Sequence, residues 1–350
     1  MSEINVGVVG YGLGGKVFHC PLIQATEGLN LYAVCSRTEE KRAAAKADYE
    51  DLVTYATVEE LLADPNLDLV VISTPHDTHA PLALQAFAAK KHVVMDKPIA
   101  VTTQEADQMI AAAKEQGVLF SVFQNRRWDG DYLTVKQAIE SGWLGEVYTF
   151  ESRVVGYGLP GRTWRGKKEH GGGRLRDWGA HLVDQALQLF GEVETVWADL
   201  QYRHWDAGFT VESGAVVWLR FTSGVRALLE TNCYSRIPQP RFYVHGSLGS
   251  LEKYGLDPQE EALKRGIVRG ARDDPAHYAR LVTEINGQVI DARLETQPGN
   301  YLAYYANIAA ALLQGAELAV KPEESREGLR VIEAAFASAE TGGAVCLGEV

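Results

Sequence analysis

The first third of the chain alternates short apolar, β-branched runs with helix-forming stretches. This pattern predicts six strands, at residues 4–9, 31–35, 52–55, 69–73, 92–95 and 118–123. It predicts helices between them, at residues 39–47, 58–63, 81–89 and 104–115. Strands that are apolar on both faces and separated by helices form parallel sheets covered on each side. We therefore expect a doubly wound α/β domain in this region.

Beyond residue 123 the pattern changes to longer segments in which polar and apolar positions alternate. It predicts strands at residues 146–155, 195–202, 214–221, 225–231 and 242–246. It also predicts helices at residues 131–141, 301–314 and 325–341. Alternation of this kind is typical of half-buried antiparallel strands. Because 350 residues exceed the usual size of one core, we expect two domains, a Rossmann domain over 1–123 and a second α/β domain over 124–350.

Composition narrows the class of protein. The chain is 46% hydrophobic and 23% charged, with a formal net charge of −12, which favours solubility and argues against a nucleic-acid or membrane-surface partner. Neither a signal-peptide pattern at the start nor an apolar run of about 18 residues is present in the sequence, so we expect no leader and no membrane span. Four widely spaced cysteines suggest neither a disulfide framework nor a zinc site, so the expected compartment is reducing and cytoplasmic.

A glycine-rich segment follows the first predicted strand and fits the pattern G-x-G-x-x-G. It consists of Gly10, Tyr11, Gly12, Leu13, Gly14 and Gly15. Such a match is weak alone, but here it lies between a predicted strand and a helix, as dinucleotide binding requires. Gly10 would allow the tight turn, Gly12 the approach of a pyrophosphate, and Gly15 close helix packing. The helix N-terminus would then offer N–H groups to the anion.

The end of the second predicted strand indicates which dinucleotide binds. An NAD site usually carries Asp or Glu there, to bind the ribose hydroxyls. This chain has Ser36, Arg37 and Thr38 instead, so no carboxylate would repel a 2′-phosphate and a guanidinium could pair with it. We therefore predict NADP in preference to NAD. The alternative is that Arg37 is a solvated residue at a helix start.

Two further signals point to proton transfer. Lys97 follows the fifth predicted strand, at the edge of a doubly wound sheet where ligands bind, although most lysines are solvated surface charges. Asp177 and His181 are four residues apart, so on a helix they share a face, where a carboxylate can orient an imidazole. The alternative for this pair is a helix-capping aspartate and a structural histidine.

These segments together resemble a known family. The glycine loop, the Asp-Lys-Pro at 96–98 (usually Glu-Lys-Pro) and the Gly-Gly-Gly-x-Leu-x-Asp-x-Gly-x-His at 171–181 resemble the glucose–fructose oxidoreductase / inositol dehydrogenase family over essentially the whole chain. Residues 12–22, 124–129 and 253–257 are similar to its branch of bacterial NADP-dependent scyllo-inositol 2-dehydrogenases and their sister oxidoreductases.

The resemblance implies a catalytic group of Lys97, Asp177 and His181. It implies hydride transfer between NADP(H) and a secondary alcohol of a polyol or sugar, inositol-like, with Asp177 orienting His181. Which of Lys97 and His181 is the immediate base stays open. The resemblance also implies a second domain with a large, mostly antiparallel sheet, which often forms the interface of a homodimer or homotetramer.

Other residues are expected to line the cofactor or substrate pocket. Those following predicted strands are Ser73, Thr74, His76, His79, Asp96, Asn125 and Arg127, and those in a glycine-rich loop are Trp164 and Arg165. His76 and His79 are three apart, but no matching carboxylate–histidine set lies nearby in the sequence, so we expect no metal. Two other functions stay open: an NADP(H)-binding sensor or regulator without turnover, and a non-redox, glycosidase-type relative.

Overall fold

The computed structural model describes residues 3–158, 163–203 and 209–348, and these form two compact units. The first unit contains the chain up to Asn125 together with residues 259–271 and 300–326. The second unit contains residues 126–258, 272–299 and the chain from Glu327 onward. The two return segments of the first unit lie far along the chain, where the sequence pattern gives no reason to assign them to it.

The first unit contains a six-stranded parallel sheet in the order β3-β2-β1-β4-β5-β6. Its strands are β1 Ile4–Val9, β2 Leu29–Cys35, β3 Val53–Tyr55, β4 Leu69–Ile72, β5 His92–Met95 and β6 Phe120–Val122. This is the order of a Rossmann fold, in which the strand order reverses beside β1 and ligands bind at the carboxyl ends of the strands. The predicted doubly wound domain is confirmed.

Helices connect and cover the strands. They are α1 Cys20–Gln24, α2 Glu39–Asp48, α3 Val58–Leu62, α4 His79–Ala88, α5 Thr103–Gln116, α6 Gly130–Glu140, α7 Ala180–Phe190, α8 Gln259–Lys264, α9 Leu302–Gln314 and α10 Pro322–Thr341. Capping boxes begin two of them, with Thr57 and Glu60 at α3 and Thr102 and Glu105 at α5. In each box two otherwise unpaired backbone N–H groups find side-chain acceptors, which sets where the helix begins.

The second unit contains a nine-stranded sheet in the order β14-β13-β12-β11-β7-β10-β9-β8-β15. Its strands are β7 Val147–Val155, β8 Val193–Gln201, β9 Gly214–Phe221, β10 Arg226–Asn232, β11 Phe242–Gly246, β12 Gly249–Lys253, β13 Ala279–Ile285, β14 Gln288–Leu294 and β15 Val345–Cys346. The β7–β10 pair is parallel, and the other neighbouring pairs are antiparallel. The expected mostly antiparallel sheet is confirmed.

Four of these nine strands are absent from the sequence-based prediction. β12 and β13 alternate in burial but are short or charged, and β14 is exposed along most of its length because it is an edge strand. An edge strand faces water on several sides, so it carries little apolar pattern. The two-residue β15 is too short to give any pattern.

The two faces of this sheet differ. On one face, Ser338 of α10 accepts a hydrogen bond from the Ala198 backbone, and Phe150 of β7 contacts Phe190 of α7 at 5.2 Å between ring centroids. On the other face Trp197 and Trp218 are cross-strand partners, and both remain more than a third exposed. In the described part of the chain, no helix is long and apolar enough to cross a membrane.

Candidate functional site

The glycine loop is packed on one side and open on the other. A Cβ on Gly10, whose φ is +102°, would lie 2.2 Å from the Ser73 carbonyl oxygen, and one on Gly15 would lie 2.0 Å from the Gly10 oxygen. By contrast, a Cβ on Gly12 would meet no atom within 4 Å among the described residues. The loop therefore needs glycine for its own packing at Gly10 and Gly15, whereas Gly12 keeps space clear beside the backbone. That open cradle fits a dinucleotide pyrophosphate.

A wide helical turn follows the loop. Residues Gly14–His19 form a π-helical turn that continues into α1, and the Lys16 N–H donates to the Gly12 carbonyl at 2.9 Å. Tyr11 is buried, and its hydroxyl donates to Asp48 at 2.6 Å, while Lys16 Nζ lies 2.7 Å from the same carboxylate. The Tyr11 side chain thus anchors the loop to the end of α2. Leu13 is 48% exposed beside it.

A second guanidinium, which was not predicted, contacts the backbone that follows β2. Arg37 and Thr38 are exposed and Ser36 is partly buried. Arg42, from the first turns of α2, donates from Nη1 to the Ser36 carbonyl at 2.7 Å and to the Arg37 carbonyl at 3.1 Å. Its position one helical turn after Thr38 is the only sequence signal that could have indicated it.

The segments after β4 and β5 are joined through two side chains. Ser73 Oγ donates to Asp96 Oδ2 at 3.0 Å, and the Lys97 N–H donates to Asp96 Oδ1 at 2.9 Å. The buried ring of His79 lies with Nδ1 3.0 Å from the Pro98 carbonyl oxygen and Nε2 3.1 Å from that of Thr74. Burial lowers the pKa of His79, although Asp96 and these carbonyls oppose the shift. These contacts hold Lys97 beside the loop after β4.

His76 lies next to this cluster, and its ring centroid is 5.5 Å from that of His79. Both rings are buried. His79 uses its nitrogens for backbone carbonyls, which gives it a role in joining the two loops.

Asp96 is the centre of the cluster in the first unit. Burial alone would raise its pKa, but the neighbouring side chains of His19, Lys97 and His79 outweigh burial. The pKa of Asp96 therefore lies well below its ordinary value, and the side chain is a carboxylate at neutral pH. His19, in turn, lies 2.6 Å from the Tyr305 hydroxyl. Neither His19 nor Tyr305 was predicted as a site residue.

In the second unit, the three consecutive glycines 171–173 allow close backbone packing before the predicted catalytic helix. A Cβ on Gly172 would lie 2.3 Å from the Arg165 carbonyl oxygen, and one on Gly173, at φ +115°, would lie 2.3 Å from Glu212 Oε1. Glu212 Oε1 accepts from the Leu175 N–H at 2.9 Å, at the start of the helix. Burial raises the pKa of Glu212.

The helix bearing Asp177 and His181 is present, but its first turn is wider than predicted. Residues Leu175–Gly179 form a π-helical turn that leads into α7, so Asp177 lies in the π-turn and His181 in the regular helix. Arg165 Nε lies 3.7 Å from Asp177 Oδ1, and its guanidinium stacks over the Trp164 ring at 4.6 Å. The structure thus brings together Trp164, Arg165 and Asp177.

A small pocket adjoins this group, and Arg165, Gly173, Asp177, Arg203 and Glu212 are among the residues that line it. It lies entirely within the second unit. Charged side chains and apolar ones such as Phe209 and Val211 thus line a space beside Asp177.

A buried ion pair and two hydrogen bonds of a buried glutamine fix α7. Arg127, predicted as a cofactor residue, forms two hydrogen bonds with Asp184, and both side chains are nearly inaccessible to solvent. Gln185 donates to the Arg126 carbonyl and accepts from Arg241 Nη2, each at 2.8 Å. Asn125 is likewise buried, at the end of the first unit. The sequence separations of more than 50 residues explain why no local pattern revealed these contacts.

Two family descriptions match consecutive parts of the chain. Residues 4–124 match the oxidoreductase family with an NAD-binding Rossmann fold, and residues 136–347 match the C-terminal alpha/beta domain of the same oxidoreductase family. Both belong to the group named for glucose–fructose oxidoreductase and inositol dehydrogenase (Gfo/Idh/MocA).

Individual relatives align over nearly the full length. The chain is 40% identical to the Escherichia coli oxidoreductase YdgJ, with 99% of each chain covered. It is 37% identical to the NADP(+)-dependent scyllo-inositol 2-dehydrogenase IolW of Bacillus subtilis, covering 97% of this chain and 95% of that one. The solved structure of the oxidoreductase yvaA from Bacillus subtilis matches with a TM-score of 0.91 at 34% identity, covering 99% of both chains.

Proposed function

Because the chain belongs to the Gfo/Idh/MocA oxidoreductase family, we propose that it transfers a hydride between NADP(H) and a secondary alcohol of an inositol-like polyol or sugar. The observation that carries this proposal is Lys97, held at the carboxyl end of β5 beside the open glycine loop. Ligands of doubly wound sheets bind at that edge. The similarity to an NADP-dependent scyllo-inositol dehydrogenase supports the substrate class.

In the proposed reaction, the chain supplies proton transfer and orientation. Either Lys97 or His181 takes up the single proton of the substrate hydroxyl, and Asp177 orients His181 and stabilises its imidazolium form. A bound NADP would supply the hydride acceptor, at C4 of its nicotinamide. Trp164 and Arg165 contact the substrate, and Arg165 also holds Asp177. We assign residues 1–123 to cofactor binding and residues 124–350 to substrate binding and oligomerisation.

Lys97→Met tests the proposal directly. With inositols and aldoses as substrates and NADP as acceptor, we expect the wild-type protein to increase absorbance at 340 nm. Lys97→Met should lower kcat by about 10³-fold while NADPH still binds, because a proton-transfer group contributes about 10²- to 10⁴-fold. Lys114→Met, at an exposed position of α5, is the matched control. Activity of Lys97→Met within about tenfold of wild type would refute the role of the lysine.

The same assay separates the competing functions. Tight NADPH binding without absorbance change for any polyol or sugar would favour a sensor or regulator. Release of a free sugar from a glycoside without net reduction of NADP would favour the non-redox reaction.

The preference for NADP is part of the proposal. It is supported by the exposed Arg37 and by Arg42, whose guanidinium holds the backbone of residues 36 and 37. Arg37→Ala should raise the KM for NADP by about tenfold, since one charge-assisted pair with the 2′-phosphate is lost. The KM for NAD is the internal control and should stay unchanged. An equal rise for both cofactors would mean that Arg37 does not select between them.

We also propose that the chain forms a homodimer or homotetramer through the open face of the nine-stranded sheet. The cross-strand pair Trp197 and Trp218 supports this, because exposed paired tryptophans are typical of buried interfaces. Trp218→Glu should shift the mass measured by light scattering toward the monomer, whereas Ile237→Glu, at a 79% exposed loop position, should not. A wild-type protein that is monomeric would contradict the proposal.

A further inference from the structure

We propose that His19 is a positioning residue for the reaction, which links Tyr305 to Asp96 and thereby holds the turn that carries Lys97. This inference rests on the proposed function, because the position of that turn affects turnover only if Lys97 acts in it. His19 lies in the segment that follows the glycine loop and is used neither by the proton transfer nor by the cofactor binding described above.

The imidazole of His19 is fully buried between two polar partners. Nδ1 lies 2.6 Å from the Tyr305 hydroxyl, and Nε2 lies 3.5 Å from Asp96 Oδ2. The ring of Phe123 packs against the rings of His19 and Tyr305, at centroid distances of 4.5 Å and 5.7 Å. A ring held on three sides in this way has little freedom to turn, so its two nitrogens keep their separate partners.

The chemistry of the partners gives the link a direction. Asp96 is a carboxylate and can only accept a proton, so Nε2 of His19 must carry the hydrogen that faces it. In the neutral ring, Nδ1 then accepts from the Tyr305 hydroxyl, which stays protonated because burial raises the pKa of Tyr305 well above its ordinary value. The Tyr305 hydroxyl thus donates to His19, and the N–H of the His19 ring faces the Asp96 carboxylate, with 3.5 Å between Nε2 and Oδ2.

Asp96 connects His19 to the backbone of Lys97. Its Oδ1 accepts from the Lys97 N–H and its Oδ2 from Ser73, so segments following β1, β4 and β5 meet on one carboxylate. The same Oδ2 lies 2.8 Å from where a Cβ of Gly14 would be. A shift of Asp96 would therefore move Lys97 relative to the glycine loop, and a misplacement of about 1 Å can cost about 10²-fold in rate.

Two variants of His19 separate its two contacts. Glutamine places an amide N–H about where Nε2 lies, whereas asparagine places one about where Nδ1 lies. His19→Gln should keep kcat within about threefold of wild type, whereas His19→Asn should lower kcat by about 10- to 100-fold with little change in the KM for NADP. A kcat for His19→Asn within about threefold of wild type, or an equal loss in both variants, would overturn the proposal.

Adjacent tyrosines provide a second test that does not depend on His19→Asn folding. Tyr305→Phe removes the hydroxyl that faces His19, whereas Tyr304→Phe removes one that donates to Ser121 Oγ. Both residues are buried, so each variant loses one internal hydroxyl. We expect kcat to fall by about threefold in Tyr305→Phe and to stay unchanged in Tyr304→Phe. Equal effects on kcat would overturn the proposal.

A measurement without turnover distinguishes failure of this inference from failure of the proposed function. The imidazole ¹⁵N resonances of His19, assigned by their loss in His19→Gln, should move in Asp96→Asn and in Tyr305→Phe but stay in place in Tyr304→Phe. If the wild-type protein oxidises no polyol or sugar while these shifts occur, the proposed function and the catalytic role of His19 fail, but the link stands. If the His19 resonances do not move in Asp96→Asn, the link between His19 and Asp96 is refuted.

Discussion

Arg127 and Asp184 form a buried ion pair with two hydrogen bonds, 2.8 Å from Nε to Oδ2 and 2.7 Å from Nη2 to Oδ1. The pair joins the turn that follows β6 to α7, the helix that carries His181. Removing one member of such a pair leaves a charge without its counter-ion in a medium that solvates it poorly.

The first prediction follows from that pair. Asp184→Asn should lower the free energy of unfolding by about 3 kcal/mol, since breaking a buried pair costs about 3–5 kcal/mol. Arg280 and Asp291 also form an ion pair with two hydrogen bonds, but at an exposed position, so they provide the matched control. Asp291→Asn should have a much smaller effect, because water screens an exposed pair. Urea unfolding measures both, and similar losses in the two variants would contradict the prediction.

The glycine loop gives a second prediction, because Gly10 is needed for packing of the loop whereas Gly12 leaves space for a ligand. Gly10→Ala should lower the free energy of unfolding by about 2 kcal/mol, since the new Cβ meets the Ser73 carbonyl at a positive φ. Gly12→Ala should leave the melting temperature unchanged but weaken NADPH binding by about tenfold or more, because its side chain would occupy only the open cradle. Thermal unfolding and a fluorescence titration with NADPH measure the two effects. Unaltered NADPH binding by Gly12→Ala would refute the assigned pyrophosphate cradle.

Gly173 gives a third prediction, about the start of the helix that is proposed to be catalytic. Gly173→Ala should lower kcat by about tenfold or more, because the new Cβ would displace Glu212 from the Leu175 N–H. Gly224→Ala is the matched control, since Gly224 also has a positive φ, +89°, but its Cβ would meet no described atom within 4 Å. Both variants bear the backbone cost of about 1–3 kcal/mol. Equal kcat in the two variants would show that Glu212 does not support the helix.

His92 gives a prediction about pH. Its Nδ1 accepts a hydrogen bond from the Leu119 N–H at 2.9 Å, which requires an unprotonated Nδ1, and burial lowers its pKa. The unfolded chain, with a histidine pKa of about 6.5, then binds more protons than the folded one. The free energy of unfolding should therefore fall as pH decreases from about 7 to about 5.

The variant His92→Asn tests this assignment, because the Asn oxygen can accept the same bond and does not titrate. The slope of the free energy of unfolding against pH should decrease in this variant. Part of this dependence on pH should remain, because burial also lowers the pKa of His79. A slope identical to that of the wild-type protein would exclude His92 as a source of the pH dependence.

Local patterns in the sequence were sufficient for the strands of the first unit's sheet. β1 and β5 begin and end at the predicted residues, and the other four strands of that sheet differ by at most three residues at either end. The glycine loop was also predictable, because its function depends on consecutive residues between one strand and one helix. In the second unit, the same reasoning found β9 and β11 at their predicted bounds but missed β12 to β15.

What only the tertiary structure decided is how distant residues meet. The strand order β3-β2-β1-β4-β5-β6 depends on which strands exchange backbone hydrogen bonds, and the side-chain pattern of a strand that is buried on both faces does not specify its neighbours. The contact between His19 and Tyr305 joins positions 286 residues apart. The sequence by itself determined the Rossmann domain and the place of its glycine loop between a strand and a helix, because those signals are local. The donors and ion pairs that hold them were decided by packing, because a buried polar group takes whichever partner the folded chain places beside it.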